Sequence, residues 1–117
     1  MILLYNLLEI LKARVEENPE NASYAVEYAD KLMSNGDTDD AIDVLENTLS
    51  YNRDNSIIYM TLAKAYNENS DFDDAVDILE DLFELDRNNF RVAMQISVNS
   101  IEMDNFEDAF EWAKKSM

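Results

Sequence analysis

Residues 70–86 read SDFDDAVDILEDLFELD. Eight of the seventeen are carboxylates and none is basic. A metal site, a pair of catalytic acids or a lure for basic partners would each account for that density. The rest of the chain supplies a fourth account, because the pattern recurs. GDTDDAIDVLENTL begins at Gly36, SDFDDAVDILEDLF at Ser70 and DNFEDAFEWAKKSM at Asp104, 34 residues apart each time. Three further ladders keep the same period: Asn21, Asn55 and Asn89; Ala41, Ala75 and Ala109; Ala29, Ala63 and Ser97. A fixed period of this length marks stacked supersecondary units.

Each unit reads as two helices. Tyr59, Leu62, Ala63 and Tyr66 share one face at i, i+3, i+4 and i+7. NENSD interrupts, and Phe72, Ala75, Val76, Leu79, Leu82 and Phe83 form the next stripe. The first unit repeats this with Ala25, Tyr28, Ala29 and Leu32, then Ala41, Ile42, Leu45 and Leu49. The third has Ala93, Ile96 and Ser97, then Phe106, Ala109, Phe110, Ala113 and Met117. Ile2 to Glu17 reads as a second helix without its first. The spacing therefore predicts an all-α chain of seven helices. It forms one domain over 1–117: a half repeat (1–21), full repeats (22–55 and 56–89) and a nearly full one (90–117). The ladders of small residues predict close crossings, with Ala29, Ala63 and Ser97 facing Ala41, Ala75 and Ala109.

Composition removes several functions. The 117 residues carry 26 acids against 9 bases, net −17, which repels nucleic-acid phosphate and anionic lipid. There is no cysteine and no histidine, so thiolate chemistry and the commonest general base are absent. One glycine and one proline leave no glycine-rich phosphate loop. MILLYNLLEILKARVEENPE lacks a basic leader and is interrupted by Asn6, Glu9 and Lys12. It is expected to be a packed amphipathic helix, neither a targeting signal nor a membrane span, which places the chain in the cytoplasm.

The pattern resembles the tetratricopeptide repeat family, whose signature of large, large-small, aromatic, alanine and large residues runs over 34 positions. Tyr59, Leu62-Ala63, Tyr66, Ala75 and Leu79 carry it best, with Gly36 between helices and Pro19 after one. Arg53 and Arg87 replace proline, Ser100 the aromatic and Ala113 a large residue. The last two predict looser packing in the third repeat. The resemblance implies an α-solenoid, a right-handed superhelix of antiparallel helix pairs, that binds other proteins and needs no cofactor.

The carboxylates fit this frame. Asp37, Asp71 and Asn105 precede their helices, and Asp40, Asp74 and Asp108 follow three residues later, as in a capping box. Asn21, Asn55 and Asn89 are expected to cap the first helices. A calcium loop from Asp71 would need glycine sixth and glutamate twelfth; Val76 and Leu82 stand there. A metal site and a paired-acid enzyme are therefore not expected.

In the resembled family, the first helices line a concave groove. By register, the groove candidates are Val26, Glu27, Asp30 and Met33 in the first repeat. The second repeat supplies Ile57, Met60, Thr61, Lys64 and Asn67, and the third supplies Arg91, Met94, Gln95, Val98 and Ile101. Val26, Met60 and Met94 recur at 34 and are expected to form an apolar row; the rival is that they pad the helix seam. The lysine–asparagine–arginine clamp that some members use for carboxylate termini is not expected. Only Arg91 matches it, with Ser23, Glu27, Ile57, Thr61 and Gln95 elsewhere.

The expected function is a non-enzymatic scaffold holding a peptide or helix of a protein partner, basic or amphipathic. The alternative is a structural or oligomerisation segment of a larger assembly. A third reading is a regulatory piece of a multidomain enzyme, since the third repeat stops six residues short of 34. On the N-terminal helix, Leu3, Leu4, Leu7, Leu8, Ile10, Leu11 and Val15 span about 160°. One neighbour covers less than that. A homodimer is thus expected through this helix or through the end bearing Phe106, Phe110 and Trp112.

Overall fold

The helical period of the apolar residues is realised directly. The computed structural model describes the backbone of residues 2–117 and the side chains of residues 6–117. Among these there are seven helices and no strand: α1 (Ile2–Glu17), α2 (Ala22–Ser34), α3 (Thr38–Tyr51), α4 (Ser56–Glu68), α5 (Phe72–Leu85), α6 (Phe90–Glu102) and α7 (Phe106–Lys115).

One turn is used three times to end the first helix of a pair. Gly36, Ser70 and Asp104 have φ of 85°, 59° and 58°, at the repeat spacing. The amide that follows each donates to the carbonyl five residues back: Asp37 to Leu32, Asp71 to Tyr66 and Asn105 to Ser100, all at 2.8 Å. A left-handed residue with this bond is a Schellman closure, which satisfies a carbonyl the helix end would otherwise orphan. Only Gly36 adopts that conformation without a Cβ to strain it.

Helix starts follow the expectation in part. Asn21 Oδ1 accepts from the Tyr24 amide at 3.0 Å, Asn55 Oδ1 from Ile57 at 3.0 Å and Asn89 Oδ1 from Val92 at 3.2 Å. Asn105 caps α7 and also donates to Asp108 Oδ2 at 2.7 Å. Asp37 and Asp71, expected to do the same, make no side-chain cap bond. Asp37 Oδ2 instead accepts from Asn35 Nδ2 at 2.7 Å, inside the preceding turn. The aspartates in the first turns of α3 and α5 also place negative charge where the helix dipole favours it, and Asp73 Oδ1 accepts from the Asp74 amide at 3.0 Å.

The chain forms two compact units, one ending at Thr61 and the other spanning Leu62–Met117. In the first, α1 packs on α2 and α2 on α3. Ala25, Ala29, Ala41 and Leu45 are completely buried there, and Leu11 nearly so. Asn52 Nδ2 donates to the Glu20 carbonyl at 2.7 Å, tying the end of α3 to the α1–α2 turn. The wide leucine face of α1 is divided. Leu11 and Val15 are buried, Leu7 and Leu8 half-buried, and Ile10 exposed; Leu3 and Leu4 lie outside the described side chains.

In the second unit, α5 packs on α6 and α6 on α7. Ala75, Leu79, Leu82, Val92, Ala93 and Ile96 form its core. Ser97 Oγ donates to the Ala109 carbonyl at 2.7 Å, so a side chain of α6 touches the backbone of α7. The Phe83 and Trp112 rings meet edge to face with centroids 5.2 Å apart. α7 nevertheless buries only Ala109, and Phe106 and Phe110 stay exposed.

The turn geometry makes opposite forecasts at equivalent positions. A Cβ at Gly36 meets no atom within 4 Å, so Gly36→Ala carries the conformational cost alone, about 1 kcal/mol. Ser70→Gly relieves that strain and should raise stability by about 0.5 kcal/mol, after the entropy that glycine adds to the unfolded chain. Urea midpoints should move in opposite directions for the two variants.

Candidate protein-binding surface

The first helices of the pairs, α2, α4 and α6, carry every residue that register places in a groove. In the first unit, Val26, Glu27, Asp30 and Ile57 come together. With Ala22, Ser23 and Asn55 they line a hollow of about 380 Å³. Ile57 is 62% exposed. Glu27 is held by Arg14, whose guanidinium lies 3.4 Å from the carboxylate and 4.2 Å from the centroid of the Tyr24 ring. Met33 does not join them: it is buried, because it falls on the face of α2 that packs inward. Met60 and Thr61 are half-buried, and the Thr61 hydroxyl is satisfied by the Ile57 carbonyl at 2.7 Å.

A second hollow in this unit, about 510 Å³, is lined by Lys12, Glu16, Pro19, Tyr28, Asp40 and Val44 among others. Burial raises the Tyr28 pKa above the ordinary phenol value, and the nearby Asp40, Glu9 and Glu16 add to the shift. Tyr28 belongs to the α2 stripe that the spacing assigns to the inward face, yet it lines this hollow beside Asp40.

The second unit presents a different surface. Phe90, Met94, Val98 and Ile101 are 50%, 47%, 43% and 49% exposed. At 100° per residue they occupy an arc of about 80° along α6. Arg91 is exposed and Gln95 half-exposed beside this stripe, and Lys64 is exposed on α4. Phe90 was missed by register, although its spacing of four and eight residues from Met94 and Val98 marked it. Asn67 is only partly exposed: its Oδ1 accepts from Asn99 Nδ2 at 2.9 Å, and Asn99 is 3% exposed. It thus serves as the polar partner of a buried amide, a role no periodicity announces.

The acidic helices offer no coordination site: among the described residues no group of three or more carboxylates is placed to hold a metal ion. Glu80 shows what their crowding does. Partial burial raises its pKa, Asp77, Asp108 and Asp81 raise it further, and Lys115 opposes them. No helix among the described residues is long and apolar enough to cross a membrane.

Residues 32–95, more than half the chain, match the tetratricopeptide repeat family. The chain belongs to that family. Its fold is the all-α, tetratricopeptide-like solenoid, and the family is one of protein-interaction modules. No curated protein matches the chain in sequence. Among solved structures, a MamA protein superposes with a TM-score of 0.84 at 19% identity, over 97% of this chain and 62% of that one. MamA of MSR-1 gives 0.79 at 22% identity, over 97% and 66%. MamA from Desulfovibrio magneticus RS-1 gives 0.80 at 15%, over 97% and 64%. The chain spans just under two thirds of these proteins' length, and at such identity the likeness is one of fold.

The Asn67–Asn99 pair generates a direct test. Asn67→Ala leaves a buried amide without its acceptor and should lower stability by about 1–3 kcal/mol. Lys64→Ala, at an exposed position of the same helix, should stay within about 0.5 kcal/mol of the parent. Paired urea titrations compare them.

Proposed function

We propose that the chain is a non-enzymatic, cytoplasmic scaffold that holds a segment of a partner protein against the first helices of its repeats, in the groove that family membership implies. One observation carries this reading. First helices bury one face and still present large apolar side chains to solvent: Ile57 from α4, and Met94, Val98 and Ile101 from α6. Exposed apolar rows rimmed by polar residues mark contact surfaces, and methionine adapts to varied apolar anchors. The absence of histidine, cysteine and a glycine-rich loop from the sequence supports a role without catalysis. Residues proposed to contact the partner are Val26, Glu27, Asp30, Ile57, Met60, Thr61 and Lys64, then Arg91, Met94, Gln95, Val98 and Ile101; Asn67 would position them. The test is capture from lysate with the native chain and with Met60→Glu/Met94→Glu, followed by mass spectrometry. The double variant should keep its helical circular dichroism and lose the captured proteins. Unfolding would make the methionines core, and unchanged capture would place binding elsewhere.

A structural, self-associating role is favoured by the end bearing α7, where Phe106 and Phe110 are 63% and 62% exposed. On that reading the net charge of −17 opposes association, and added salt screens it. Light scattering should then show mass rising with salt for the parent and constant for Phe106→Glu/Phe110→Glu. A parent that stays monomeric at high salt removes this reading.

A further inference from the structure

The two surfaces just described differ in chemistry, and the difference bears on what each accepts. The hollow beside Ile57 carries two carboxylates, Glu27 and Asp30, in its lining. The stripe on α6 carries no charged residue between its ends. From Phe90 to Ile101 it runs about 16 Å along the helix. The only charged residues of α6 are Arg91 in the first turn and Glu102 in the last. Its other polar side chains either face inward, as Ser97, Asn99 and Ser100 do, or lie beside the stripe, as Gln95 does.

We propose that the α6 stripe docks an amphipathic, basic α-helix of a partner protein, an inference that rests on the protein-binding reading above. An extended peptide laid on the stripe would turn backbone amides and carbonyls toward Phe90, Met94, Val98 and Ile101. Those groups would lose water and find no partner, a cost of kilocalories per buried group. A helix satisfies its backbone internally and brings only its apolar face. Side chains at i, i+4, i+7 and i+11 match a stripe three turns long.

Charge selects the sign of the partner's other face. Residues 62–117 hold 14 acids and 5 bases, net −9, so the overall field of this unit attracts a basic helix, even though Arg91 stands beside the stripe itself. A second copy of this chain is disfavoured as occupant, since each copy carries −17.

The experiment uses the full 117-residue chain and three fluorescein-labelled designed peptides of about 18 residues. One has leucines at i, i+4, i+7 and i+11 with lysines elsewhere. The second has the same composition scrambled. The third keeps the pattern but carries two central prolines that prevent a helix. Anisotropy should show saturable binding of the first, at least about tenfold tighter than the other two and weakening with salt. Met94→Glu/Val98→Glu should weaken it by at least about tenfold, whereas Phe106→Glu on α7 should leave it unchanged. Amide shift mapping on the unmodified chain should place the peptide on residues 90–101, which keeps the test decisive if the double variant unfolds. Equal binding of the proline-broken peptide, lost with Met94→Glu/Val98→Glu, overturns the helical occupant and leaves protein binding by this face intact. Shifts elsewhere than 90–101 overturn the site. If no peptide binds, the inference fails; it fails alone if lysate capture still depends on Met94, and together with the protein-binding reading if it does not.

Discussion

The pairs α2–α3 and α6–α7 depend on a close approach that small side chains permit. Ala25, Ala29, Ala41, Ala75 and Ala93 are completely buried, and Ser97 and Ala109 are 5% exposed. The Ser97 hydroxyl, 2.7 Å from the Ala109 carbonyl, gives the scale: a two-atom side chain reaches from one helix to the backbone of the next. Longer side chains at these positions would hold the helices apart, and Leu45, Leu79 and Ile96 would no longer fill the space around the crossings. The 34-residue ladder of small residues is the written form of this constraint.

The connection between paired helices is set by the same economy. A three-residue link must reverse the chain while leaving the end of the first helix satisfied. The left-handed residue at 36, 70 and 104, with its 2.8 Å closing bond, does both. Glycine at the first of these sites has no strain; serine and aspartate at the others show that the closure is kept even where the residue resists it. Packing decides the turn, and the turn residue adjusts.

Charge divides the labour between helices. The second helices begin with acids, Asp39 and Asp40 on α3, Asp73 and Asp74 on α5, and Glu107 and Asp108 on α7. There they complement the helix dipoles. α6, a first helix, is charged only near its two ends, which leaves the apolar side chains between them free of competing charge. An acidic body with an apolar helical face suits recognition by contact, with charge governing approach.

The helix number, the limit of the first helix near Glu17, the Ser97–Ala109 crossing and the family were legible in the sequence, because they follow from a period that repeats. Asparagine caps were legible too, since Asn21, Asn55 and Asn89 act on amides within three residues. The tertiary structure decided what depends on distance between segments remote in sequence. It buried Met33 and left Phe90 exposed, although both belong to first helices. It gave Asn67 to Asn99, 32 residues away, and drew Asp37 back to Asn35 instead of forward onto α3. Register names the face on which a side chain starts; whether a neighbouring helix then covers that face is settled by packing, which a single period cannot encode.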